Sequence, residues 1–362
     1  MANIIDYVKS EKSSWAQKAL NEVDSLVLSQ LAYTDFVAGT AELKKTNGRV
    51  SLKSFAEKGA IKAAMFANVL SGPQTTELLT VVAKSPRFSE VQIAHYVSET
   101  NQDLQKQFAA MCFILDERTT YVAFRGTDDT ILGWKEDFNM SYLQVTPSQK
   151  EAARYLEKVA AATAGDLIVG GHSKGGNLAV YATLMVSGET QKRIQAVYSH
   201  DGPGVNMNWW QSWRYQTIKD KIFKTLPQSS PVGILLETQT NYRIVKSSRH
   251  SIMQHDPFSW LVNVAKDEFI YTDKMARSVR YFDKSLHTWL KQIPRREREK
   301  FIDTLYEILT ETKITTVQQF VQLTPAQAKQ LLRSFKNMDE QKKFLGQALK
   351  NLAKIYWQNM KS

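Results

Sequence analysis

Apolar residues at helical spacing run from Trp15 through Ala19, Leu20, Val23, Leu26 and Val27 to Leu31, and the next helical candidates lie between Ser51 and Lys84. The first hundred residues therefore read as mainly helical. The pattern then changes to short apolar runs at 108–115 and 119–124, joined by Asp-Glu-Arg-Thr, which predicts a hairpin. Residues 151–162 read as a helix, 166–170 as a buried strand, 175–186 as a helix and 194–199 as another strand. Such alternation predicts a mostly parallel sheet with helices on both faces. Two further strands are expected at 232–236 and 242–246, after which the chain reads as almost wholly helical to its end.

Composition sharpens that picture. The 362 residues are 43% hydrophobic and 23% charged, enough for one large core with an appendage. The single cysteine, Cys112, has no internal partner and sits in an apolar run, so a buried thiol is expected and a disulfide-stapled secreted design is excluded. No secretory leader and no apolar run long enough to cross a membrane are visible, so a cytoplasmic protein is expected. The net charge of +11 is uneven: residues 273–362 hold 18 Lys and Arg against 9 Asp and Glu, or +9. We expect two parts, an α/β domain over 1–275 and a basic helical subdomain over 276–362.

The candidate chemistry centres on Gly171-His172-Ser173-Lys174-Gly175, a G-x-S-x-G match that follows a strand candidate and opens an amphipathic helix. A nucleophilic serine on a strand-to-helix turn needs small neighbours, and glycines at 171 and 175 supply them. This context predicts an α/β-hydrolase fold with Ser173 as nucleophile, an N-terminal helical segment and a C-terminal helical extension. The serine needs a base, and the base needs an acid. Of six histidines, His95, His172 and His287 read as structural. His200 follows a strand, where its side chain could approach the site, but precedes any later Asp that would serve it in the usual chain order. His250 and His255 lie in the loop after the last strand candidate, where the chain order Ser, acid, His puts the base. We take His255 as the base and hold His250 as the alternative. Asp201, in a Gly/Pro turn at a strand end, is the acid, with Asp256 as the alternative and a helix-capping role its competing reading.

An oxyanion stabiliser is also required; the elbow offers the backbone N–H of Lys174, and the loop after the early strand Tyr121-Val-Ala-Phe offers a second donor. That loop, Ala123-Phe-Arg-Gly-Thr followed by Trp134 and Asp137, together with Gly-His-Ser-x-Gly-Gly-Asn-Leu-Ala, resembles the class 3 lipases and their bacterial relatives. With the Asn21–Tyr33 segment, Ser199-His-Asp-Gly-Pro-Gly and Gln254-His-Asp-Pro-Phe-Ser-Trp, the chain more closely resembles the Mbeg1-like proteins over roughly residues 1–275. The resemblance implies Thr127 as the second oxyanion donor and bracing roles for Arg125 and Asp137. It departs from class 3 lipases in one respect, since no Asp follows the strand at 242–246 where they present their acid.

The expected activity is hydrolysis of a carboxylic ester or related acyl bond, with no cofactor and no metal. The alternative is a degenerate hydrolase fold that binds an acyl ligand or docks a partner. Trp209, Trp210, Trp213, Tyr215, Ile218, Ile222 and Phe223 suggest a lid or a packed cap helix, and the basic C-terminal helices suit contact with an anionic membrane. No nucleic-acid motif is present.

Overall fold

The computed structural model describes residues 1–45, 48–57, 59–128, 130–140, 142–205, 212–237, 241–311 and 340–361. Among them a nine-stranded mixed sheet runs in the order β1-β2-β3-β4-β5-β6-β7-β8-β11. Strands β1 (Val50–Ser51), β2 (Gln92–Asn101), β3 (Lys106–Ile114) and β4 (Thr119–Phe124) pair antiparallel. From β4 the sheet turns parallel through β5 (Asp166–His172), β6 (Ile194–His200), β7 (Ile222–Pro227) and β8 (Arg243–Val245). A two-stranded ribbon of β9 (Val262–Asn263) and β10 (Glu268–Phe269) precedes β11 (Tyr271–Thr272), which closes the edge antiparallel to β8.

Helices α1 (Ile4–Ser10), α2 (Glu22–Leu31), α3 (Phe36–Gly39), α4 (Leu52–Glu57) and α5 (Gly72–Val82) precede the long strands. Within the sheet region come α6 (Ile131–Asn139), α7 (Pro147–Ala162), α8 (Lys174–Met185), α9 (Gly188–Arg193) and α10 (Trp213–Ile218). Three helices end the chain: α11 (Arg277–Gln292), α12 (Arg295–Glu311) and α13 (Glu340–Lys361).

The strands are apolar on both faces because both are covered. Met111, Phe113, Tyr121 and Ala123 point into a core shared with α1, α2 and α5. The alternate residues Ala110, Cys112, Val122 and Phe124 point into a second core with Leu156 of α7 and Leu178 and Ala182 of α8. Cys112 is fully buried there, its Sγ 3.5 Å from the Tyr155 hydroxyl. The hairpin link is an Asx turn, in which the Asp116 carboxylate accepts from the N–H groups of Arg118 and Thr119. Helix α2 begins with a capping box between Asn21 and Asp24 and is held by the buried Arg87–Asp24 ion pair. This is an α/β-hydrolase architecture: a sheet whose parallel half leads into a strand–Ser–helix turn, with helices on both faces.

Several expectations need correction. Residues 92–101 are the strand β2, so His95 lies within the sheet, at a bulge between Ala94 and Val97, with φ of 52°. Bulged and left-handed residues break the period-2 pattern that would have marked this strand. Residues 232–236 form turns, and the strand beside β6 is Ile222–Pro227 instead, which takes Ile222 and Phe223 out of any lid. The stretch before α11 carries the short strands β9 to β11 rather than helix; two-residue strands are too short to show a period. Trp209 and Trp210 lie outside the described residues, while Trp213 starts α10 and is 64% exposed.

At the C-terminal end, Trp289, Ile293, Ala348 and Ile355 make a small core of their own between α11 and α13. Helix α12 packs against α6. No described helix is long and apolar enough to cross a membrane.

Candidate active site

Strand β5 ends and α8 begins at Ser173, which is held at φ 58°, ψ −132°, a left-handed conformation rare for a residue with a side chain. Its N–H donates to the His200 carbonyl of the neighbouring strand at 2.9 Å. The two flanking glycines have a steric reason. A Cβ on Gly171 would lie 2.3 Å from the Gly175 carbonyl carbon, and one on Gly175 would lie 2.1 Å from the Phe124 oxygen. Strand, helix and the neighbouring strand end therefore meet at contacts that only glycine tolerates, and the serine is pushed out at the tip.

Asp201 follows β6, fully buried, also at positive φ (47°). Its Oδ2 accepts from His255 Nδ1 at 2.6 Å, and its Oδ1 accepts from the Gly233 N–H at 2.9 Å. With both oxygens paired, the carboxylate is held against the imidazole from one side and the turn backbone from the other. His255 ends a short 3-10 turn, Ser251–His255, that is clamped from several sides. The buried Gln254 side chain bonds Ser229 N and Arg249 O, and Trp260 Nε1 donates to the Gln254 carbonyl.

His172, inside the elbow, lies against His255 with ring centroids 4.5 Å apart. Its Nε2 is 2.9 Å from the His255 carbonyl, which can only accept, so Nε2 carries the hydrogen. The other nitrogen, Nδ1, then accepts from the Tyr33 hydroxyl at 3.1 Å. Burial, and then the adjacent His255, hold His172 well below the usual histidine range, so it is neutral beside the candidate base.

Thr127 and Lys174 line the same cavity as Ser173, and their backbone N–H groups have no acceptor among the described residues. The Thr127 hydroxyl donates to Asp137, and the Lys174 ammonium, fully buried, bonds the Gln107 carbonyl at 2.9 Å and Glu136 at 3.1 Å. Glu136 is completed by the N–H and hydroxyl of Ser148. Burial raises Asp137 to about 6, against the opposing pull of Lys174, and its Oδ1 has no hydrogen-bond partner among the described residues.

These groups open onto a cavity of about 600 Å³, within the range of pockets for sizeable organic ligands. Ser173, His255, Thr127, Lys174 and His172 are among its lining. The remaining wall is mostly apolar, with Val69, Leu70, Phe138, Leu235, Ile252 and Met253 from the core. Phe282, Leu286, Trp289 and Leu290 of α11, Phe301 and Ile302 of α12 and Leu352 of α13 complete it.

The structure thus gathers Ser173, His255, Asp201, Thr127 and Lys174. The alternatives fall elsewhere. His250 is exposed in the loop, and Asp256 caps the turn at Phe258 and pairs with Arg249. His200 is buried on the far side, its Nε2 2.9 Å from Ser25 Oγ, and burial drops it to about 3. His287 pairs with Asp283 on α11. Arg125 Nε has no partner among the described residues, so no hydrogen bond from that atom braces the loop. Sequence reasoning missed Tyr33, Glu136 and the C-terminal wall. Tyr33 stood in the Asn21–Tyr33 segment without a role, whereas nothing in the spacing pointed to Glu136 or to the three helices that end the chain.

A family model described as Mbeg1-like matches residues 82–307. The Asn21–Tyr33 segment lies outside that match. No curated protein matches the chain. Among solved structures, the crystal structure of M37 lipase is 15% identical, with a TM-score of 0.37, over 60% of this chain and 70% of that one. A fungal lipase–inhibitor complex is likewise 15% identical, with a TM-score of 0.34, over 62% of this chain and 83% of that one.

Proposed function

This chain belongs to the Mbeg1-like family, and from that premise we propose that it is a serine hydrolase, cleaving a carboxylic ester or related acyl bond through Ser173, His255 and Asp201. The observation that carries the reading is the 2.6 Å His255–Asp201 hydrogen bond at a cavity that also holds the strained Ser173. His255 Nε2 takes the Ser173 proton as Oγ attacks the acyl carbon, and the imidazolium is stabilised through Nδ1–H by Asp201. The carbonyl oxygen becomes an oxyanion between the N–H groups of Thr127 and Lys174, where one donor contributes about 3–4 kcal/mol. His255 then returns the proton to the departing alkoxide, leaving an acyl-enzyme and an alcohol. Water, deprotonated by the same histidine, adds to the acyl carbon; the Ser173 oxygen leaves with that proton, and a carboxylic acid is released.

Neutral His172 supports this cycle, because a second positive charge stacked on His255 would oppose formation of the imidazolium. The apolar wall favours an acyl group with a hydrocarbon chain. A binder without turnover is the second reading, favoured by the lack of any hydrogen bond from Ser173 Oγ to His255 among the described residues; such contacts are commonly long before substrate binds. Fluorophosphonate labelling of the purified protein, with Ser173→Ala and His255→Ala beside it and a panel of p-nitrophenyl esters after it, separates the two. Labelling and turnover that vanish in both variants are expected. A folded wild type that neither labels nor turns over any ester would leave the binder.

A further inference from the structure

Three consecutive residues of α6 each grip a different part of the molecule. Successive helical side chains diverge by about 100°, so one turn can reach three neighbours. Lys135 reaches α12, its ammonium 2.9 Å from Asp303 and 4.4 Å from the centre of the Tyr306 ring. Glu136 holds the buried Lys174 ammonium at the start of α8. Asp137 holds the Thr127 hydroxyl. Both residues that present the unpaired backbone N–H groups are therefore tied to α6, and α6 is tied to the helix that supplies Phe301 and Ile302 to the cavity wall.

We propose that Lys135 and Asp303 are positioning residues, which set the oxyanion hole through α6 according to how helix α12 is seated over the cavity. This rests on the hydrolase reading. The lever is stiff where it must be: Lys174 and Glu136 are each 1% exposed and share their bonds with Gln107 and Ser148, so a displacement of α6 moves the Lys174 N–H with it. The outer link is different in kind. Asp303 is 42% exposed, and a partly exposed ion pair contributes little to stability, so changing it perturbs position more than folding.

The test uses full-length protein and p-nitrophenyl acetate, whose two-carbon acyl group makes little use of the apolar wall. Lys135→Glu and Asp303→Lys should each lower kcat by about tenfold, with KM within about twofold, since a displacement well under 1 Å at the reacting centre is costly. The combined K135E/D303K protein should regain most of the lost kcat, and Asp303→Asn should resemble the single variants if K135E folds poorly. A second readout isolates the oxyanion. Sulfur accepts hydrogen bonds weakly, so the rate ratio between an ester and its thiono-ester analogue should shrink in the single variants and recover in the reversed pair. Wild type without Ser173-dependent turnover overturns the hydrolase reading and this inference together. An active wild type whose folded single variants keep their kcat and their ratio overturns this inference alone, as does a folded reversed pair that regains neither.

Discussion

Asp201 shows how much a single residue can demand of its surroundings. It is buried at positive φ, and its two oxygens are divided between His255 and Gly233 N. Asp201→Asn should lower kcat by on the order of 10⁴ while leaving the fold intact, because an amide nitrogen facing Nδ1 selects the wrong imidazole tautomer; stopped-flow or steady-state ester hydrolysis checks it. Asp137 makes the opposite kind of demand. Burial lifts its carboxyl to about 6, from an ordinary value near 4, so the folded chain keeps a proton there that the unfolded chain has released. Folding stability tied to this group is therefore fully present below about pH 4 and is lost as pH rises to about 6. Asp137→Asn should then be more stable than wild type above pH 6, by on the order of 1–3 kcal/mol, with the difference vanishing near pH 4. Thermal unfolding measured from pH 4 to 8 decides it, and equal melting shifts at all pH values would contradict it. Ser173 and the two glycines around it were legible in the sequence because the chemistry requires a local pattern. Glu136 was not, since a buried glutamate is told from an exposed one only by the lysine it meets 38 positions away.

At the scale of elements, the elbow is a junction where backbone meets backbone with no room for a side chain. Gly171→Ala would drive a methyl into the Gly175 carbonyl carbon at 2.3 Å, against backbone that cannot turn aside. The expected cost is about 3 kcal/mol or more, seen as a lowered denaturation midpoint or as loss of soluble protein. The strands β3 to β6 could be read from their apolar runs because burial on both faces keeps their middles apolar and leaves most polar residues to their ends. Strand β2 could not. Its inner end is buried but its outer half is exposed, and the bulge at His95 shifts the alternation midway. Strand β7 was lost in a stretch of mixed aromatic and basic residues that looked helical, because its buried part, Lys224 to Pro227, begins with the polar Lys224 and Thr225. The stretch 232–236 is apolar yet folds as turns, and those turns bring the Gly233 N–H to Asp201. Here the site, rather than the local pattern, explains the geometry.

At the scale of the molecule, the basic C-terminal helices proved to be part of the cavity, with residues from α11, α12 and α13 in its wall. A sum of charges marked them as an appendage, whereas their apolar faces belong to the pocket. If this wall holds an acyl chain, narrowing it should discriminate by chain length. Leu290→Trp should leave p-nitrophenyl acetate hydrolysis within about twofold while reducing kcat/KM for octanoate or longer esters by tenfold or more, since each buried methylene contributes about 0.8 kcal/mol. Uniform loss across chain lengths would place the chain elsewhere.

The thiol of Cys112 carries a different kind of consequence. It is the protein's sole cysteine, it is fully buried in the third strand between two layers of helices, and burial pushes it up to about 12. A soluble thiol reagent can therefore react only with molecules whose sheet has opened. Under native conditions, and without a single mutation, the rate at which the unmodified protein takes up label is a clock for that opening. Its slowing when a substrate analogue is added would measure the energetic link between the acyl cavity and the centre of the sheet.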